Sequence, residues 1–161
     1  MESIQQRIFG DSQLFAVSVR ISAIHGYSEA ELSYFIGGLE ICARGHLSDI
    51  RQSFEVVVRR ARQLQNCTLF AHETKAFLND YQNLLNAPAD RIDLDSLDLF
   101  NGLSLWFHDS LEDNLAFAIG CGDVIRIFCK SGKAIQEVRL RGSSFEEVIF
   151  SAGYFLGVED L

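Results

Sequence analysis

The sequence predicts an α+β fold: an antiparallel sheet, made of an N-terminal hairpin and a C-terminal meander, with about three helices packed on one side of it. Three observations carry this reading. Residues 14–24 alternate apolar and polar side chains with period two. Residues 103–140 break into short β-rich runs separated by glycine-containing turns. Between and after these regions, three stretches carry apolar residues at helical spacing.

The first specific feature is "RIFGDSQLFAVSVRI" (7–21), in which Ile8-Phe9 runs into Gly10-Asp11. Phe15, Val17, Val19 and Ile21 then point one way while Ala16, Ser18, Arg20 and Ser22 point the other, which describes a half-buried strand. "HGYSEAE" (25–31) reads as a polar loop. "LSYFIGGLEIC" (32–42) supplies the second strand of a hairpin, with Gly37-Gly38 marking a bulge or a close backbone approach.

A helix is expected over 51–64, where Phe54, Val57, Val58, Ala61 and Leu64 share a face and Arg51, Arg59, Arg60 and Arg62 form the wet side. Residues 66–72 read as a short strand or a loop. A second helix follows over 73–86, with Phe77, Tyr81, Leu84 and Leu85 inward and Asn86-Ala87-Pro88 stopping it. "ADRIDLDSLDLFNG" (89–102) reads as an acidic, partly docked loop whose leucines alternate with aspartates. Strands are expected at 103–108, 115–119, 124–130 and 134–140, with "GCGD" and "SGK" turning the last three. The closing helix spans 145–156, with Ser144 and Glu147 as a capping box and Gly157 as its stop.

The 161 residues make one domain by size, 1–161, and 48% apolar residues with 11% aromatics supply one core. The start lacks the apolar stretch of a signal peptide. The longest run free of Asp, Glu, Lys and Arg is the eleven residues 148–158, against the roughly 20 that a membrane span needs. No membrane partner is expected, and the location is read as cytoplasmic. Cys42, Cys67, Cys121 and Cys129 form no C-x-x-C pair and sit among apolar neighbours, so they read as buried, reduced thiols rather than a disulfide scaffold or a zinc site.

The charge is uneven. Of the net −8, residues 1–86 hold only −1, with eight Lys/Arg against nine Asp/Glu. Within 90–113, Asp90, Asp93, Asp95, Asp98, Asp109, Glu112 and Asp113 face Arg91 alone. Such a field repels nucleic acid and anionic lipid and attracts a basic protein. These carboxylates, with Asp123 of the "GCGD" turn, are the candidate partner-binding residues.

Catalytic chemistry finds little support. "WFHDS" (106–110) places His108 beside Asp109 and Ser110, but neighbours on a strand point to opposite faces and do not form a triad. "IGGLEIC" and "GCGD" lack the spacing of a nucleotide loop. "DRIDLDSLD" has oxygen ligands but neither the Gly nor the terminal Glu of a calcium loop. The chain reads as a non-enzyme without cofactor or metal, the rival being an enzyme or small-ligand binder built on His108-Asp109.

The start I-F-G-D-x-x-x-F-A, carried here by Ile8, Phe9, Gly10, Asp11, Phe15 and Ala16, resembles a family of bacterial immunity proteins from polymorphic toxin and contact-dependent growth inhibition systems. The Gly-Gly second strand, "SFEVVVRRA" (53–61), "LAFAIGCGDVIRIFCK" (115–130) and "IQEVRLRGSSFEEVI" (135–149) follow in the same order, so the resemblance covers most of the chain outside 63–102. It implies a cytosolic antitoxin that binds and blocks a cognate toxin C-terminal domain, often a nuclease, whose basic cleft would suit an acidic inhibitor. It carries over no interface residues. It also makes the Gly10-Asp11 stretch structural: Gly10 supplies a special backbone angle and Asp11 caps the turn. A chaperone for a secreted effector, also small, acidic and α+β, is the alternative.

Overall fold

The computed structural model describes residues 3–105 and 114–159. Four strands come first: β1 (Ser3–Gly10), β2 (Phe15–Ile24), β3 (Tyr27–Ile36) and β4 (Leu39–His46), paired antiparallel in chain order. The expected hairpin is thus a four-stranded meander. Turn chemistry is the cause: His25-Gly26 and Gly37-Gly38 all take positive φ, between 50° and 83°, which matches the twist of two-residue hairpins. Gly37-Gly38 is a turn between strands rather than a bulge within one. Most of the expected polar loop 25–31 is strand, and β1 shows no sequence alternation because it is an exposed edge.

Gly10 has φ 94°, and Asp11 Oδ1 accepts the backbone N–H of Gln13 at 2.8 Å, so both structural roles expected of this pair hold. In β2 the alternation gives way to burial on both faces: Ala16 and Ser18 are as enclosed as Phe15 and Val17.

Helix α1 (Leu47–Arg60) starts four residues earlier than expected, because His46 Nδ1 accepts the Ser48 N–H and caps it. Its apolar stripe is buried as read, continuing through Ala61 and Leu64 beyond the helix end. The undecided 66–72 segment holds a one-turn helix, α2 (Cys67–Phe70), and α3 (Thr74–Leu85) follows. Phe77 and Tyr81 are buried on α3, but Leu85 is exposed. The acidic segment is not a loop: after a 3-10 turn at Ala89–Arg91 it forms α4 (Leu94–Leu103).

Strands β5 (Asn114–Cys121), β6 (Val124–Ser131) and β7 (Ala134–Arg141) make a second antiparallel meander, turned at "GCGD" and "SGK" as expected. Of the strand expected at 103–108, Leu103 ends α4 and Ser104 makes a single bridge to Phe117; Trp106, Phe107 and His108 lie outside the described residues. Helix α5 (Gly142–Leu156) begins before the Ser144–Glu147 box, since the Gly142 N–H donates to Asp123 O at 2.7 Å and starts the helix earlier. Gly157, at φ 74°, ends it as read.

The α+β class holds, with two sheets in place of one. Phe15 packs against Phe145 of α5 and Tyr34 against Phe54 of α1, so both helices cover the inner face of the first sheet. One face of the second sheet meets α3 through Phe77, Phe117 and Phe128, whose rings lie 5.0–5.6 Å apart. Its other face meets α5 and the β3–β4 turn, where Gly37 approaches Gln136 and Val138. Helices therefore flank the second sheet on both sides, not on one, and the buried residues form one core.

The cysteine reading needs correcting. Cys67 and Cys121 form a disulfide, with Cα atoms 4.8 Å apart. Only Cys129 is a buried thiol; Cys42 is free but exposed. The separation of 54 positions hid the pair, which is brought together by backbone bonds from Gly120 N to Leu64 O (2.6 Å) and Asn66 N to Gly120 O (2.8 Å).

Closing a loop of this length constrains the unfolded chain by about 4 kcal/mol in the chain-entropy treatment. Reduction should lower stability to urea by an amount of that order, with Cys67→Ser behaving like the reduced chain; equal midpoints with and without reductant would refute it. Gly10→Val should cost about 1–3 kcal/mol from backbone strain at φ 94° alone, and a Cβ there would in addition press on Phe15 O and Val148 Cγ2. An unaltered thermal midpoint would contradict this.

Candidate functional site

Helix α4 carries the acidic surface, and its sequence explains its orientation. Phe100 and Leu103 turn inward with Leu97 beside them, while Leu94, Asp95, Asp98 and Leu99 face out. Helical spacing rather than leucine–aspartate alternation governs the segment, so two of its leucines are left outside: Leu94 is 66% and Leu99 46% exposed. Asp95 and Asp98, three residues apart, share one helix face, with Asp90 in the preceding turn.

Asp93 differs from its neighbours. Its carboxylate accepts the Ser96 backbone N–H at 3.1 Å and the Ser96 hydroxyl at 2.6 Å, capping α4. These hydrogen bonds hold the carboxyl below its usual range. Asp93 therefore shapes the helix as well as contributing charge. Asp123 lies elsewhere, at the β5–β6 turn, on a groove shared with Arg62, Arg141 and Glu146. Asp109, Glu112 and Asp113 fall outside the described residues. Thus four of the eight candidate residues are brought together, and Asp123 is set apart from them.

Four contacts seat α4. Phe100 packs on Phe77 (4.6 Å between centroids) and on Tyr81 (5.8 Å). Tyr81 OH donates to Asn101 Oδ1 at 3.1 Å, and Arg60 donates to Asn101 O at 3.1 Å. The layer of α2 and α3 beneath is held by a residue that the sequence reading passed over. Arg126, inside the apolar run of β6, is 2% exposed and donates to Phe70 O, His72 O and Thr74 Oγ1. Its Nε lies 3.2 Å from Glu137, and its guanidinium stacks 4.9 Å from the Phe128 ring. Burial pushes the Glu137 carboxyl up, but the Thr74 hydroxyl and the Arg126 charge outweigh it and keep the carboxyl low. The available signal was a guanidinium in the middle of a strand that is apolar on both faces.

Among the described residues, His25, His46 and His72 form no catalytic arrangement. His25 sits in a turn, and His72 contributes its carbonyl to Arg126. His46, Ser48 and Asp49 do form a short chain, with His46 Nδ1 2.7 Å from Ser48 Oγ and Ser48 donating to Asp49 at 3.1 Å. In a triad the carboxylate orients the imidazole and the imidazole meets the hydroxyl; here the hydroxyl stands between the other two, at a helix cap. Among the described residues no three His, Cys, Asp or Glu side chains gather as a metal would require, and no helix is long and apolar enough to cross a membrane.

No protein-family model matches the chain, and no curated protein matches it either. Among solved structures, the fold is similar to the crystal structure of CdiI from Burkholderia dolosa AUO158, with a TM-score of 0.64 and 15% identity over 91% of this chain and 97% of that one.

Replacing Arg126 with Met should cost about 3 kcal/mol or more, since it strips the donors from two carbonyls and leaves Glu137 without its buried partner. Urea unfolding reads this directly, and a loss below about 0.5 kcal/mol, the level of an ordinary surface change, would show the network to be dispensable.

Proposed function

We propose that this chain is an immunity protein that binds and neutralises one cognate toxin domain, acting as an inhibitor and not an enzyme. The observation that carries the proposal is the shared architecture with CdiI, an immunity protein of contact-dependent growth inhibition, spanning nearly the whole of both chains. The resemblance of the Gly10-Asp11 opening points the same way from the residues. The protein then works in the cytoplasm of the cell it protects, where the toxin would act.

The partner surface follows from charge. Asp90, Asp95 and Asp98 are exposed beside Leu94 and Leu99, so carboxylates flank an apolar contact. The toxin domain would present Lys and Arg there, as the phosphate-binding cleft of a nuclease does. Opposite fields speed encounter and are screened by salt. Asp109, Glu112, Asp113 and Asp123 belong to the same proposal through their charge.

The direct test is co-expression with the toxin domain encoded beside this gene: the chain should restore growth and co-purify with a folded toxin, and failure of both would refute the proposal. Within the complex, Asp90→Asn, Asp95→Asn and Asp98→Asn together should slow association roughly tenfold at low salt and flatten its salt dependence, with thermal stability retained because the cap Asp93 is left in place. Stopped-flow association across a salt series measures this. A rate and slope equal to the unmodified protein would remove α4 from the interface.

A further inference from the structure

A second surface lies far along the chain from α4, where the β1–β2 turn meets α5. There a groove of about 500 Å³ opens between Ile8, Asp11 and Leu14 on one side and Glu147, Val148 and Ser151 on the other. Gly10 and Val148 form its close-packed floor, as the 2.9 Å approach to a Cβ on Gly10 indicates. Two large aliphatic side chains stand exposed on its rim: Ile8 at 57% and Leu14 at 52%. Glu147 and Ser151 are one turn apart on α5, so a carboxylate and a hydroxyl face the same opening. Asp11 uses Oδ1 for the Gln13 N–H.

We propose that this groove docks a protein segment bearing a large apolar side chain flanked by Lys or Arg. The apolar rim supplies the anchor and the charge selects the partner. No Lys or Arg lines the groove, and neither Asp11 nor Glu147 makes an ion pair among the described residues. A second copy of this chain is disfavoured by its net −8, since like charges repel. A phosphate-bearing ligand meets the same repulsion. The choice of a toxin as the natural source of the segment rests on the immunity reading; the chemistry of the groove does not.

The test is a chemical-shift titration of the whole isotope-labelled chain with the synthetic peptide acetyl-Lys-Leu-Lys-Phe-Arg-amide, alongside a control in which Glu replaces every Lys and Arg. Saturable shifts should centre on 8–14 and 144–151, with none from the acidic control. Leu14→Ser with Glu147→Lys should weaken the peptide roughly tenfold or more, the loss of one apolar contact and one charge pair. Shifts centred on 90–98, no saturable binding, or equal binding of the acidic control would each overturn the proposal, and the wild-type shift map decides it even if the variant fails to fold. Because the titration contains no toxin, its failure is separable from failure of neutralisation. Conversely, neutralisation left intact by the double variant would exclude the groove from the toxin contact without touching the immunity reading.

Discussion

The arrangement hangs on one buried guanidinium. Arg126 enters the second sheet at its central strand, where an unpaired charge would be prohibitive, and is made tolerable by two carbonyls, a hydroxyl, a carboxylate and an aromatic face. The polar partners come from the α2–α3 connection and from β7, and the aromatic face from Phe128 of β6 itself. A charge that must be satisfied thereby specifies where the connection lies, which apolar packing alone would specify only loosely. From that fixed point the aromatic cluster of Phe77, Tyr81, Phe100, Phe117 and Phe128 extends outward and carries α4 on its surface.

Helix α5 has the complementary task. It contacts β1 and β2 of the first sheet and β6 and β7 of the second, so the two meanders share a helix between them. Its high apolar content follows: Phe145, Val148, Ile149, Ala152 and Leu156 are all buried, while Glu147 and Tyr154 remain outside. The early start of the helix at Gly142, tied to Asp123 O, makes β7 run into it without a loop.

What could be read from the chain tracks how local its cause is. The α1 stripe, the β5–β7 turns and the αL stop at Gly157 depend on neighbouring residues and were legible; the roles of Gly10 and Asp11 came from the family resemblance. The β3–β4 turn was misread because Gly-Gly suits a bulge and a hairpin equally, and only pairing decides between them. The acidic segment misled because Leu-Asp alternation imitates period two; the Asp93–Ser96 cap shows helix to be the stronger local choice. The disulfide and the partners of Arg126 on the α2–α3 connection were invisible for a different reason: each joins groups more than fifty residues apart, and no local pattern encodes such a meeting. At the candidate surface, the excess of carboxylates was plain in the sequence, whereas the split between one that caps, three that face solvent and one on a separate turn needed the fold.

The Cys67–Cys121 bond carries a topological consequence. It makes residues 67–121 a covalently closed ring that contains α2, α3, α4 and all of β5, and the ring's neck is the pair of backbone bonds between Gly120 and residues 64 and 66. A single peptide-bond cut anywhere within that ring opens the chain without dividing the molecule: the two pieces stay tethered at the neck, each still packed on the same core, until the bond is reduced.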